Sequence, residues 1–192
     1  MSPPKKTIYI SFSYQIDNPK VNQLMVLCSQ LINQQKPDIL YFCFASPGGL
    51  VAPGIVLHNF LRGLPVQITM HNIGSVDSVA TVIFLAGTRR YANPNSSFLF
   101  HGINANFDQK TSLTMFQLRE RLSGLEQDQA KISNIITQYT KITSEDLSSL
   151  YMQGEVKTPE FALEKGFIDE IKPLSIEPNA LLVSLVEKPS IP

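Results

Sequence analysis

The 192-residue chain lacks an excess of charge of either sign. Sixteen lysines and arginines balance sixteen aspartates and glutamates, so the formal net charge is zero and the pI is near 6.8. Proteins that bind nucleic acid or an anionic membrane through general electrostatics carry a clear excess of basic residues. We therefore expect neither nucleic acid nor a membrane among the partners of this protein.

Long hydrophobic runs are also missing. No stretch approaches the roughly 18 apolar residues that a membrane helix needs, and the first apolar run, residues 7–12, is too short for a signal-peptide core. Because only 17% of the residues are charged while 43% are hydrophobic, the composition argues against disorder. These features predict a single cytoplasmic domain over residues 1–192, with part of its apolar surface facing other subunits.

Residues that bind metals or cofactors are scarce. The two cysteines, Cys28 and Cys43, lie in apolar segments without paired spacing, so we expect buried reduced thiols. The three histidines, His58, His71 and His101, are too scattered for a recognisable metal site. The sequence contains no G-x-G-x-x-G, no G-x-x-x-x-G-K-[ST] and no G-x-S-x-G motif. We expect no metal and no cofactor.

The sequence does contain a regular alternation of strand and helix patterns. Strands are predicted at Thr7–Phe12, Asp38–Ala45, Val66–Asn72, Arg90–Ala92, Ser97–His101 and Phe167–Ile171. Helices are predicted at Pro19–Gln35, Pro53–Arg62, Ser78–Ala86, Leu113–Thr140, Ser144–Met152 and from Thr158 to near Gly166. This order predicts an α/β fold with a parallel sheet and right-handed crossovers. Residues 172–192 contain four prolines and no clear period, which indicates a surface or flexible tail.

The helix predicted over Leu113–Thr140 is unusually long, at about 42 Å for a rise of 1.5 Å per residue. A domain of this size cannot cover such a helix along its whole length. We therefore expect its middle or far end to project and to contact another subunit or a partner.

Three local features are compatible with chemistry. Ser46-Pro47-Gly48-Gly49 follows a predicted buried strand, where glycines allow a free N–H to face a ligand oxygen; a tight turn is the simpler interpretation. Ser78 follows a glycine turn and begins a helix of small residues, so its hydroxyl and the N–H of Val79 can share one site, unless Ser78 is only an N-cap. His101 ends a strand and is either a base or a packed histidine.

Taken in order, these features resemble the proteolytic subunit of Clp proteases. The resemblance rests on Ser-Pro-Gly-Gly, on the Gly-x-x-x-Ser turn, on Asn-Ser-Ser-Phe-Leu-Phe-His and on the segment from Ala162 to Glu170. It covers residues 8–171 and implies the ClpP/crotonase-like ββα superhelix with a long handle helix that joins two rings. By this resemblance Ser78 is the nucleophile, His101 the general base, and Gly49 and Val79 provide the oxyanion-hole amides.

The chain departs from the family pattern at the triad acid and at the N-terminus. An ungapped alignment from Gly166 places the family's aspartate on Gly154, which has no side chain; Glu155 is our candidate replacement, while Asp146 and Asp77 are less suitably placed. Only six residues precede the first predicted strand, whereas a longer segment lines the pore and engages the unfoldase in the family. On that ground we do not expect an ATPase partner.

The leading hypothesis is a serine endopeptidase that acts as a homo-oligomer on peptides or unfolded proteins. The glycine at position 154 supports an alternative, a non-catalytic scaffold or pseudo-enzyme subunit with the same fold. A third hypothesis, an acyl-CoA enzyme of the crotonase type, would also use two backbone amides. Its enolate chemistry, however, does not require the pairing of Ser78 with His101.

Overall fold

The computed structural model describes residues 5–104 and 112–185. Its strands are β1 (Thr7–Ser13), β2 (Ile39–Ser46), β3 (Gln67–Asp77), β4 (Arg89–Ala92), β5 (Ser97–Leu99), β6 (Val156–Lys157), β7 (Glu170–Ile171) and β8 (Leu181–Ser184). Its helices are α1 (Asn18–Gln35), α2 (Val51–Gly63), α3 (Ala80–Phe84), α4 (Met115–Tyr139), α5 (Ser144–Gln153) and α6 (Pro159–Glu164). The predicted order of strands and helices is thus present.

The strands form one sheet in the order β6-β5-β3-β2-β1-β8, and β4 joins it by pairing with β3 and β7. Every pair is parallel except β5 with β6, which is antiparallel. The central strands are apolar on both faces because helices and aromatic side chains cover both, as a parallel sheet requires. Phe12 and Phe44 stack at 5.4 Å on neighbouring strands, and Phe84 stacks on Phe167 at 5.7 Å.

The helix α4 projects at the end opposite to the one we predicted. Its buried residues, Ile132 and Ile136, lie in its C-terminal half, where it packs against α2, α3 and α5. In the N-terminal half Phe116 is 80% exposed and Leu122 is 56% exposed. The prediction was therefore wrong for the far end, because the buried apolar positions are concentrated there, whereas residues 121–124 toward the middle of the helix are exposed. Within the described residues, no helix has the length and apolar character to cross a bilayer.

Three further elements differ from the sequence-based expectation. The strand β3 includes Gly74–Asp77, part of the Gly74–Ser78 segment that we interpreted as a turn, because Val76 is fully buried and pairs with Phe98 of β5. The strand β6 lies between two predicted helices, where we assigned no element, and the strand β8 lies in the predicted tail. Its residues pair in parallel with β1, so it forms one edge of the sheet.

Two buried histidines support the fold in their neutral form. The His58 Nδ1 donates to the Val82 carbonyl at 2.7 Å. The His71 Nε2 donates to the Lys172 carbonyl at 3.0 Å, while its Nδ1 accepts from the Tyr41 hydroxyl at 2.7 Å. Removal from water lowers the pKa of both imidazoles below the ordinary value of 6.5.

We expect these histidines to make the protein less stable in mildly acidic solution. In the unfolded chain these imidazoles take up protons near pH 6.5, whereas in the folded chain they do so only at lower pH. Their contribution to the free energy of unfolding is therefore complete above pH 6.5 and is lost as the pH falls through the folded pKa values. The urea midpoint should be lower at about pH 5.5 than at about pH 7.5. His71→Gln should reduce the difference, and equal midpoints in the wild type would contradict the assignment.

Candidate active site

Ser78 follows directly on β3 and has an unusual backbone conformation. Its φ is +57°, in the left-handed region, which costs a residue with a Cβ roughly 1–2 kcal/mol. Its N–H donates to the Leu99 carbonyl at 2.9 Å, and its carbonyl accepts from the Thr81 hydroxyl at 2.6 Å. The N-cap of α3 is Val79, with no side-chain cap bond, so the hydroxyl of Ser78 does not cap this helix. Strained residues of this kind are concentrated at functional sites.

The glycine loop after β2 lies against Ser78. Gly48 has φ +86°, and a Cβ at this position would lie 2.7 Å from the Cβ of Ser78 and 3.3 Å from its Oγ. Gly49 has φ +149°, and a Cβ there would clash with the carbonyl oxygen of Ile16 and lie 2.9 Å from its nitrogen. Ile16 holds the loop on both sides, because it donates to Gly48 O and accepts from Leu50 N, each at 2.8 Å. Only glycines allow this close approach.

Two backbone donors beside Ser78 have no acceptor among the residues that the structure describes. Within the described part of the chain, neither the N–H of Gly49 nor that of Val79 donates a hydrogen bond to another residue. Such unpaired donors are uncommon in the interior of a protein, where more than nine in ten backbone groups are paired. Val79 is only 1% exposed, so this argument applies to its N–H, whereas Gly49 is exposed and its N–H can bind solvent. The two N–H groups are therefore available for an acceptor that neither the helix nor the sheet provides.

His101 follows β5 and lines a narrow cleft together with Ser78. The other residues that line this cleft are Thr81, Phe100, Ile103, Ile132, Ile136 and Tyr151. The His101 Nδ1 lies 2.7 Å from the Gly102 carbonyl oxygen. Because a carbonyl can only accept, Nδ1 carries the proton and Nε2 keeps its lone pair in the neutral ring. No hydrogen bond joins Ser78 to His101 among the residues that the structure describes.

Gly154, which the alignment places at the triad acid, and Glu155, its candidate replacement, directly precede β6. β5 and β6 pair antiparallel, with Phe98 opposite Lys157 and Leu99 opposite Val156. Among the described residues the pairing of these strands does not extend to Gly154, which has a left-handed φ of +59° as the C-cap of α5. The side chain of Glu155 is 66% exposed and its Oε2 lies 2.9 Å from Lys157 Nζ. Glu155 is thus paired with Lys157 and forms no hydrogen bond with His101 among the described residues.

The other two carboxylates considered in the sequence have different surroundings. Asp146 forms the capping box of α5 with Thr143, and an ion pair of 2.9 Å with Lys165. Its hydrogen bond to Lys165 holds the pKa of this carboxyl below its usual value. Asp77 is half-buried at the end of β3. Burial raises the pKa of Asp77, while a hydrogen bond to Ser75 and the charge of His101 act in the opposite direction. Among these carboxylates, Asp77 is therefore the one whose pKa responds to His101.

Sequence reasoning missed the residues that form the walls of the cleft. The helical spacing of Ile132 and Ile136 indicated an inward face of α4, but not that this face borders Ser78. Tyr151 had no local signal at all. Its hydroxyl lies 3.3 Å from the hydroxyl of Ser133, which brings α4 and α5 together beside His101.

Comparison with solved structures identifies the class of fold. A point mutant of ClpP1 from Listeria monocytogenes matches with a TM-score of 0.71 over 87% of this chain and 91% of that one. The sequence identity is 17%, so this match shows the fold alone. It confirms the predicted ClpP/crotonase-like fold.

Sequence comparisons then identify the family. The Clp protease family model matches residues 5–173. The ATP-dependent Clp protease proteolytic subunit of Deinococcus radiodurans is 28% identical over 82% of this chain and 74% of that protein. The ATP-dependent Clp protease proteolytic subunit 1 of Leifsonia xyli is 23% identical over 88% of this chain and 83% of its own length. The chain belongs to the Clp protease family, which confirms the resemblance found in the sequence.

Proposed function

We propose that the protein is a single-domain serine endopeptidase that hydrolyses peptide bonds in peptides or unfolded proteins. Ser78 is the nucleophile, His101 the general base, and the N–H groups of Gly49 and Val79 form the oxyanion hole. The observation that carries this proposal is the strained Ser78, which lies between two backbone segments with free N–H groups and shares a cleft with His101. Membership of a peptidase family supports it.

The geometry supports acyl transfer in two steps. The Ser78 oxygen attacks the peptide carbonyl carbon while its proton moves to His101 Nε2, and the free N–H groups hold the resulting oxyanion. The protonated imidazole then donates this proton to the leaving amine as the C–N bond breaks, which leaves an ester on Ser78. Water, deprotonated by the same nitrogen, attacks the ester and releases the acid product and the free hydroxyl.

The substrate binds as an extended chain. Peptides commonly bind to proteases and similar domains by adding a strand beside an existing one, through main-chain hydrogen bonds. The cleft walls next to Ser78 are largely apolar, with Phe100, Ile103, Ile132 and Ile136 among them. We propose that the peptide lies beside this cleft and directs a side chain into it.

The exposed half of α4 is the proposed contact between subunits. Four large apolar side chains are exposed there within eight residues; they are Met115, Phe116, Leu118 and Leu122. A contiguous exposed apolar patch usually marks an interaction surface. We propose that it is covered by the same helix of another copy, so that the protein is a homo-oligomer.

A non-catalytic scaffold is the second candidate function. It is favoured by Gly154, which the ungapped alignment places at the family's triad aspartate and which has no side chain. Loss of the triad acid reduces the rate of a well-studied serine protease by about 10⁴. A scaffold would keep the oligomer and bind peptides without forming an acyl-enzyme.

Covalent labelling of the full chain separates the two candidates. We expect a fluorophosphonate probe to add one adduct per chain by intact mass, and peptide mapping to place it on Ser78. Light scattering of the same sample should give a multiple of the chain mass of 21.4 kDa. An assembled oligomer without an adduct would support the scaffold, whereas a monomeric mass would exclude the proposed subunit contact.

A further inference from the structure

The residue that the alignment places at the triad acid carries no side chain. Gly154 is the C-cap of α5 with φ +59°, and a Cβ built on it would have no atom of the described residues within 4 Å. No carboxylate of the described residues forms a hydrogen bond with His101. Under the proposed function, on which this inference rests, the base still needs a partner that holds its tautomer and orientation.

We propose that the main-chain carbonyl of Gly102 is this partner, so that the site works as a Ser78–His101 dyad positioned by the backbone. The 2.7 Å hydrogen bond from Nδ1 keeps the proton on that nitrogen and leaves Nε2 as the acceptor. This is the tautomer that a general base facing Ser78 requires. A carbonyl dipole orients the ring without supplying the full negative charge that stabilises an imidazolium in the transition state.

Neighbouring charged groups do not replace this hydrogen bond. Glu155 is paired with Lys157 and Asp146 with Lys165, each at 2.9 Å. The hydrogen bond of Asp77 goes to Ser75. No described side chain crowds Gly102, since a Cβ built on it would lie 3.8 Å from its nearest neighbour, Gln129 Oε1. The carbonyl is therefore the acceptor that the structure provides for Nδ1.

The proposal predicts that a carboxylate at position 154 increases the rate. Asp and Asn both tolerate the left-handed region and share one shape, so Gly154→Asp and Gly154→Asn place equal demands on the backbone. We expect Gly154→Asp to accelerate phosphonate labelling and peptide turnover by about 10²-fold or more. Gly154→Asn should stay within a few-fold of the wild type. The midpoint of the acid limb of the labelling rate should move to higher pH only in Gly154→Asp, because a carboxylate favours the protonated imidazole.

Two further variants separate this proposal from the proposed function. Ser78→Ala in the Gly154→Asp background should lose all labelling, and persistent labelling would refute the function itself. If labelling depends on Ser78 but Gly154→Asp behaves like Gly154→Asn, the backbone-positioned dyad is refuted and the function stands. A loss of rate in Glu155→Gln would show that a carboxylate orients His101, and would also overturn the role of Gly102. Thermal melting of each variant checks that it folds.

Discussion

Replacement of Ser78 by alanine or glycine should abolish peptide turnover and phosphonate labelling, with a loss of about 10³-fold or more. The two variants should differ in stability, because φ is +57° at this position. Alanine keeps the penalty of a Cβ in the left-handed region, whereas glycine does not. We expect the free energy of unfolding of the glycine variant to be about 1 kcal/mol larger than that of the alanine variant.

Turnover of a fluorogenic peptide and urea unfolding measure these two effects. Ser29→Ala is a suitable control, since the hydroxyl of this exposed serine of α1 donates to the Met25 carbonyl at 2.8 Å and Ser29 lies far along the chain from the site. It should change neither activity nor the oligomeric mass. Turnover in Ser78→Ala close to the wild-type rate would disprove the nucleophile, and equal stability of the two Ser78 variants would contradict the strained backbone.

Gly49→Ala should reduce both stability and activity. A Cβ at this position would clash with the backbone of Ile16, which carries the hydrogen bonds that hold the loop. Relief of this overpacking needs a backbone shift and should cost about 1–3 kcal/mol of unfolding free energy. The same shift moves the Gly49 N–H, and loss of one oxyanion donor reduces kcat by roughly 10²–10³.

Gly63→Ala is the matched control for this change. Gly63 ends α2, has no neighbouring atom within 4 Å of a built Cβ, and does not contact the cleft. Alanine there should leave activity unchanged and keep or raise the urea midpoint, because it is the better helix former. Wild-type turnover in a folded Gly49→Ala variant would mean that its N–H does not stabilise the transition state.

Much of the fold follows from local patterns. The apolar segments of β1 and β2 indicated strands, the stripe in α1 indicated an amphipathic helix, and Thr158-Pro159-Glu160 predicted the start of α6. Pairings between distant segments left weaker signals. β6 has only two residues and β8 lies in a proline-containing stretch. Their strand conformation therefore depends on pairing of β6 with β5 and of β8 with β1. The local sequence around Val76 indicates a turn, and its strand conformation becomes evident only from the pairing with Phe98.

Some residues of the candidate site are likewise indicated by local patterns, and others are evident only from the structure. Glycines before a nucleophile, a serine at a strand end and a histidine after a short strand are features of residue type and order. They were therefore visible in the chain. The Gly102 carbonyl and Tyr151 were not visible, since a backbone acceptor has no residue signature and Tyr151 comes from a helix 50 residues after His101.

The sequence by itself determined the family, the order of strands and helices and the residues able to serve as nucleophile and base. These depend on side-chain chemistry and on periodicity along the chain. Only the tertiary structure decided which group bonds to His101. The backbone conformation brings the Gly102 carbonyl oxygen to 2.7 Å from Nδ1, while Glu155 is paired with Lys157 at 2.9 Å. Because every residue has a main-chain carbonyl, no residue pattern in the sequence predicts which carbonyl accepts this hydrogen bond.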